Sequence, residues 1–284
     1  MKKELFGIIL SCALLLTFIS PSALAAQDAS LKLTKAEESE AREVAAAFSD
    51  RLAGTRDFAS VVREMYAEGF MARYLKRAAR WAAGSSEAGP KADSFMLEGV
   101  PALDFKSGLA ADADDENWPR LYAAANDVMR FGFLMYLSKK SLKELDESED
   151  FDESALFDVY PPEALRVLDA NPALANFLKR KGRGVEVETP EDLRSVTLAM
   201  EEAARLTRAS LDKRLSSSAL LEENMSMLKS AQAKMGVTLV EDEEALGYTK
   251  GTRLFRVFAS AGYDLLLVKE GGKMKVAWAT FPHD

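Results

Sequence analysis

The amino-acid sequence predicts an α+β protein, with a mostly helical body followed by a C-terminal antiparallel β-meander of three to four strands. Three observations predict this class. Apolar residues recur at helical spacing through most of residues 36–235. Beyond them, apolar and polar residues alternate at the period of a β-strand. A short apolar leader accounts for residues 1–25, so we expect a helical region (26–236) and a meander (237–284) that pack together as one globular domain.

Residues 1–25 have the pattern of a secretory signal peptide. Two lysines precede a mostly apolar run at residues 5–19, and the small-residue sequence Ala-Leu-Ala follows at 23–25. The run is shorter than the roughly 20 apolar residues that span a bilayer, which disfavours an uncleaved membrane anchor. Lipidation at Cys12 is a second alternative, but the sequence stays apolar after that residue. We therefore expect cleavage, and a mature protein that is periplasmic or secreted.

The body begins with three predicted helices. Thr34 and Glu37 have the spacing of a capping box, which predicts that the first helix begins there. Asp57 is placed to cap the second helix. Gly69 marks the break before the third helix, which we expect to end at Gly84.

A long surface connection is expected at residues 84–117, and a strongly apolar helix after it. Pro119 suits the first turn of that helix. We expect it to be the central buried helix, because it is apolar on more than one face. Its predicted core residues are Leu121, Ala125, Val128, Phe131, Met135 and Phe133.

Further helices are predicted by proline and cap signals. Pro161-Pro162 and Asn171-Pro172 each begin a short helix, and Thr189-Pro190 begins a helical pattern that runs to about residue 235. An unbroken helix of that length would be too long for a compact domain, so we expect a break near residues 216–218 and a helical hairpin. The alternative is one long coiled-coil helix that dimerises the chain.

Four strands are predicted for the meander, at residues 237–240, 254–258, 263–268 and 273–278. In the last strand, Met274, Val276 and Trp278 alternate with the other residues, so we expect these three on the buried face. The helices at 36–83 and the meander at 252–281 slightly resemble the NTF2-like fold in the order of their elements, without a motif of that family. The resemblance implies a cone-shaped pocket between helices and sheet.

The cysteine and histidine counts exclude several chemistries. Cys12 is the one cysteine and lies in the leader, so we expect no disulfide, no thiol nucleophile and no cysteine zinc site in the mature chain. His283 is the one histidine and is the penultimate residue, a poor position for a general base. We therefore expect no metal site built on histidine or cysteine, and the sequence assigns no metal ligand and no cofactor. Carboxylate pairs, Ser-Lys chemistry and oxygen-ligated metals remain open.

The net charge of −8 argues against nucleic-acid binding, which requires clustered positive charge. Loss of the leader removes two lysines and one glutamate, which changes the net charge to −9. We expect no stable membrane anchor after cleavage. The mature chain is expected to be soluble.

One helix face carries a candidate site. Arg73, Lys76, Arg77 and Arg80 fall at i, i+3, i+4 and i+7, so they share one face of the third helix. The functional interpretation is a patch for an anion, a lipid headgroup or a partner. The simpler interpretation, which we favour from sequence, is the solvated face of an amphipathic helix.

Other charged runs have simpler explanations. The basic run at 179–183 suits a helix C-terminus. The acidic runs at 112–117 and 146–153 suit hydrated loops. The first lacks the glycine and the glutamate that a calcium-binding EF-hand needs.

Three functional hypotheses remain. The first is a non-catalytic exported protein that binds a small ligand or a protein partner. The second is a scaffold that forms a homodimer through residues 190–235. The third is a hydrolase or lyase that uses carboxylate, tyrosine or lysine chemistry in a cleft. The absence of a catalytic motif leads us to expect a binding protein rather than an enzyme.

Overall fold

Apart from the short helix predicted at Asn171-Pro172, where residues 172–175 form a turn, the predicted helices and strands occur in the predicted order in the computed structural model. It describes residues 32–53, 57–84, 94–96, 103–139, 158–175, 186–215, 218–232, 235–240, 248–249, 251–258 and 264–280. The helices are α1 (Lys35–Ala53), α2 (Phe58–Met65), α3 (Phe70–Gly84), α4 (Asn117–Leu137), α5 (Pro162–Ala170), α6 (Pro190–Leu215) and α7 (Ala219–Gln232). The strands are β1 (Ser94–Met96), β2 (Asp104–Lys106), β3 (Gly236–Val240), β4 (Leu254–Phe258), β5 (Asp264–Glu270) and β6 (Lys273–Thr280). The predicted α+β class with a C-terminal antiparallel meander is confirmed.

The three opening helices begin where their caps predict. The Glu37 backbone N–H donates to Thr34 Oγ1 over 3.2 Å, and the Thr34 N–H donates to Glu37 Oε2 over 3.0 Å. The Ser60 N–H donates to the Asp57 carboxylate over 2.8 Å at the start of α2. Gly69 has a φ of 65°, a left-handed conformation that favours glycine, and α3 begins at the next residue.

Helix α4 lies at the centre of the core, as predicted. Trp118, Leu121 and Phe131 on this helix are almost fully buried. Phe133 is 44% exposed, so its predicted place in the core is wrong. Two residues correspond to about 200° of helical rotation, so Phe133 cannot share a face with Phe131.

The predicted break in the long C-terminal helical segment is confirmed. Helix α6 ends at Leu215 and α7 begins at Ala219, where Ser218 Oγ accepts a hydrogen bond from the Leu221 N–H over 3.2 Å. The apolar side of α6 packs against α4 of the same chain. Its buried members are Leu193, Val196, Met200, Ala203, Ala204 and Leu211.

The four C-terminal strands form an antiparallel sheet in the order β3-β4-β5-β6. Gly271 and Gly272 both have positive φ values in the tight turn between β5 and β6. Helix α1 contacts β3, β4 and β6, and this contact forms the helix–sheet core. Strands β1 and β2 make a separate antiparallel pair within residues 84–117, the stretch that the sequence predicted as a surface connection.

A β-bulge changes the face on which Trp278 lies. Leu266 pairs with Trp278, whereas Leu267 pairs with Val276, so Ala277 is an extra residue in β6. Val276 is fully buried in the main core, whereas Trp278 is half-buried and shares a face with Leu266. The prediction that Trp278 continues the face of Val276 is therefore wrong.

Candidate functional site

The four predicted cations lie on α3 and have two different environments. We call Arg73, Lys76, Arg77 and Arg80 the basic face. Arg73 and Arg77 are half-buried, whereas Lys76 and Arg80 are exposed. The half-buried pair lies close to aromatic rings, which the sequence did not predict.

Arg77 packs on the bulged strand. Its guanidinium carbon lies 4.3 Å from the centre of the Trp278 ring, within the range of a cation–π interaction. Tyr74 stacks on the same tryptophan, with ring centres 4.8 Å apart and planes inclined by 19°. The bulge in β6 therefore places Trp278 under helix α3, where it orients Arg77.

Arg73 is held by a tyrosine that the sequence analysis did not single out. Its guanidinium carbon lies 4.4 Å from the centre of the Tyr248 ring, and its Nη2 donates to the Glu68 carbonyl. Burial, with a smaller contribution from Glu270, raises the pKa of Tyr248 to about 12, and Arg73 opposes that rise. The tyrosine is therefore neutral at physiological pH, and the charge of Arg73 is not cancelled by it.

Backbone contacts fix α3 against the end of the sheet. Tyr66 forms a parallel β-bridge with Val276, and the Ala67 N–H donates to the Val276 carbonyl over 2.8 Å. Glu270 accepts a hydrogen bond from the Glu68 N–H over 2.9 Å. These bonds set the position at which α3 begins, and hence the position of its basic face.

The helix–sheet junction is filled by aromatic side chains. The ring centres of Tyr66 and Phe70 are 4.4 Å apart, and the Tyr122 ring lies 5.3 Å from Phe70 and 5.2 Å from Tyr74. The cone-shaped pocket implied by the NTF2-like resemblance is not found among the described residues, because these rings occupy the space.

A shallow surface depression lies beside the start of α3. Its volume is about 230 Å³, below the roughly 300–1,000 Å³ of typical ligand pockets. It is lined by Val62, Tyr66, Ala67, Gly69, Phe70, Met71, Ala72, Ala113, Asp114 and Pro119. It is partly open to solvent.

One residue of the acidic run before α4, Asp115, bonds to the first residue of that helix. Asp115 Oδ1 accepts hydrogen bonds from the backbone N–H and the side-chain Nδ2 of Asn117, both over 2.8 Å. Within the described ranges, no three metal-binding side chains cluster. The runs at 146–153 and 179–183 lie outside the described residues.

A buried ion pair in the core had no sequence signal. Both carboxylate oxygens of Asp127 accept from the Phe58 N–H at the start of α2, over 2.9 and 3.0 Å. Arg130 donates to Asp127 over 2.7 Å and to the Leu52 carbonyl over 2.7 Å. Burial raises the pKa of the Asp127 carboxyl, and Arg130 and the Phe58 N–H oppose that rise. The pair joins α1, α2 and α4 and lies away from the surface depression.

Comparison with known proteins gives no relative. No family model matches the chain, and neither a search of curated proteins nor a search of solved structures found a match. Among the described helices, none is long and apolar enough to cross a membrane.

Proposed function

We propose that this chain is an exported, soluble, non-catalytic binding protein of the cell envelope or the extracellular space. Its partner, in this proposal, is a protein that presents an acidic segment to the basic face of α3. The single observation that carries the proposal is the placement of Arg73 and Arg77 over aromatic rings beside the exposed Lys76 and Arg80.

Preorganisation supports binding through this face. A long arginine side chain loses rotamer freedom when it is immobilised in a complex, which costs about 0.5–1.5 kcal/mol. The rings of Tyr248 and Trp278 already restrict Arg73 and Arg77 in the isolated chain. An acidic segment would therefore meet two oriented guanidinium groups beside the exposed side chains of Lys76 and Arg80.

The overall charge supports a selective partner. The chain carries a net charge of −8, so a general anionic surface is repelled at long range. A short acidic segment that contacts only α3 lies within about 8–10 Å of the four cations, where screening is weakest. This combination favours a protein segment over an extended nucleic acid or membrane surface.

Export is supported by the N-terminal pattern alone. Two lysines, a short apolar run and Ala-Leu-Ala are the signs of a cleaved leader. Mass spectrometry of the protein recovered from the periplasm or the medium is expected to give a chain that begins near residue 26. Recovery of the chain only from the cytosol, with Met1 still present, would contradict export.

The two other hypotheses receive less support from the structure. The apolar stripe of α6 that a dimerising scaffold would expose is buried against α4 in the same chain. Asp127, the described carboxyl whose pKa burial raises, is held by Arg130 and does not line the surface depression.

A peptide titration tests the binding proposal. Fluorescence anisotropy of a labelled oligoglutamate peptide is measured against the wild-type protein and the variant Lys76→Glu/Arg80→Glu. These two side chains are exposed, so the fold should be retained. We expect the double charge reversal to weaken binding about tenfold or more, which corresponds to about 1.4 kcal/mol.

The matched control is Arg63→Glu/Arg194→Glu, which makes the same change in net charge at exposed positions on α2 and α6. This control should reduce binding far less. Absence of peptide binding, equal loss in both variants, or binding to vesicles of anionic lipid in place of the peptide would each overturn the proposal.

A further inference from the structure

We propose that β3 is a self-association edge, which pairs with β3 of a second copy of this chain. The two strands would run antiparallel across a two-fold axis. They would join the two four-stranded sheets into a single sheet of eight strands. This inference is independent of the proposed binding at α3.

Among the residues that the structure describes, the two edges of the sheet differ in how far they are covered. At the β6 edge, Tyr66 and Ala67 pair with Val276 and cover part of the strand. At the β3 edge, β4 is the one described strand that pairs with β3. An edge strand presents a row of backbone donors and acceptors, which is a template for another strand.

The composition of β3 favours pairing. Its five residues, Gly-Val-Thr-Leu-Val, include no charge and no proline. Natural edge strands commonly carry lysine, proline or a bulge that blocks such pairing. Thr238 is exposed at the middle of the strand.

An exposed aromatic ring marks the same edge. Gly236 pairs with Phe258 on β4, and a Cβ built on Gly236 would lie 2.2 Å from the Phe258 ring. The ring therefore lies over the glycine, yet it is 44% exposed. In a two-fold pairing centred on Thr238, Gly236 lies opposite Val240 of the second copy. That valine shares the face of Phe258 and would cover the exposed ring.

Self-pairing suits this strand better than a foreign one. A strand that crosses a two-fold axis is antiparallel to its copy, which produces a closed interface. Because β3 is uncharged, no like charges face each other across the axis. The central pair is Thr238 with Thr238, a favourable cross-strand combination.

The sequence permits a specific cross-linking test. Cys12 is the one cysteine, so a Cys12→Ser background is free of thiols. In that background Thr238→Cys should form a disulfide-linked dimer under mild oxidation. Directly opposed residues have Cα atoms about 4.5–5.5 Å apart, within the range that a disulfide spans. The control Ser39→Cys, exposed on α1, should stay monomeric.

Light scattering provides the second measurement. The unlinked protein should show a mass twice that of one chain, and Thr238→Lys should be monomeric because it places like charges opposite each other. Thr238→Val should remain dimeric, and Ser39→Lys controls for added charge. Circular dichroism confirms that each variant folds. A monomeric wild-type protein, or a dimer that Thr238→Lys leaves intact with no Thr238→Cys cross-link, would overturn the inference.

Discussion

Arg77 on helix α3 lies 4.3 Å from the centre of the Trp278 ring on strand β6. A residue of the candidate binding face is therefore also a packing residue between helix and sheet. Arg73 has the same double role with Tyr248, whereas Lys76 is exposed. This division predicts that the cations of one face differ in their contributions to stability.

Replacement of Arg77 should cost more stability than replacement of its exposed neighbour. Arg77→Ala loses the contact with Trp278, so we expect the free energy of unfolding to fall by about 1 kcal/mol. Lys76→Ala should change it by less than about 0.5 kcal/mol. Urea denaturation followed by circular dichroism measures both values. Equal effects of the two substitutions would show that the ring contact is energetically unimportant.

Gly132 should not tolerate a methyl group. A Cβ at this position would lie 2.1 Å from the Tyr160 hydroxyl oxygen, which donates to the Val128 carbonyl over 3.2 Å. We expect Gly132→Ala to destabilise the fold by about 1–3 kcal/mol through overpacking. Gly108→Ala is the control, because no atom lies within 4 Å of its added Cβ.

A thermal unfolding series checks whether the clash with Tyr160 causes the loss of stability in Gly132→Ala. The double variant Gly132→Ala/Tyr160→Ala should be more stable than the sum of the single effects, because the second change removes the clash. Strict additivity of the two substitutions would argue against a direct contact.

The buried pair of Asp127 and Arg130 should be sensitive to loss of one partner. Asp127→Ala leaves Arg130 buried without its carboxylate and should cost about 3–5 kcal/mol. Asp57→Ala, which removes a helix cap and a charge that lies near the pair without a hydrogen bond to it, should cost about 1 kcal/mol. The double variant Asp127→Ala/Arg130→Met should recover part of the loss in a denaturant titration. If Asp127→Ala lost no more unfolding free energy than Asp57→Ala, the buried pair would not have the importance for stability that we assign to it.

Two helix caps should contribute stability that depends on pH. The Thr34 N–H holds the pKa of Glu37 below its ordinary value, and the Thr189 hydroxyl does the same for Asp192. Because the folded state binds these protons less tightly than the unfolded state, the contribution is present above the ordinary pKa values. It is lost as the pH falls through the lower folded-state values.

Substitution of the capping carboxylates should therefore make the free energy of unfolding less dependent on pH in the acidic range. Glu37→Gln and Asp192→Asn should each reduce the change in unfolding free energy between about pH 5 and pH 3. The control Glu191→Gln alters an exposed acid in the same first turn as Asp192. If the free energy of unfolding fell as much between these pH values in both variants as in the wild type, the assigned role of the caps would be contradicted.

The sequence predicted elements whose signals are local. The capping box at Thr34 and the Asp57 cap each mark a helix start that the structure contains. The β6 bulge was not predictable, because strict alternation of Met274, Val276 and Trp278 indicates a single face. Only the pairing of Leu266 and Leu267 with β6 reveals the extra residue.

The sequence predicted the placement of the four cations on one helix face but not the aromatic rings around them. The i, i+3, i+4 and i+7 spacing placed the four cations on one face of α3. The rings that contact Arg73 and Arg77 belong to Tyr248 and Trp278, which lie about 170–200 residues further along the chain. Such contacts depend on tertiary packing and leave no periodic signal near the cations.

Nuclear magnetic resonance measures directly whether the basic face of α3 binds an acidic segment. Oligoglutamate is titrated into isotope-labelled protein, and the amide signals of α3 and the indole N–H signal of Trp278 are followed. We expect saturable shifts that map to residues 73–80 and to Trp278. Saturable shifts confined to another surface, or no shifts at all, would contradict the proposed binding.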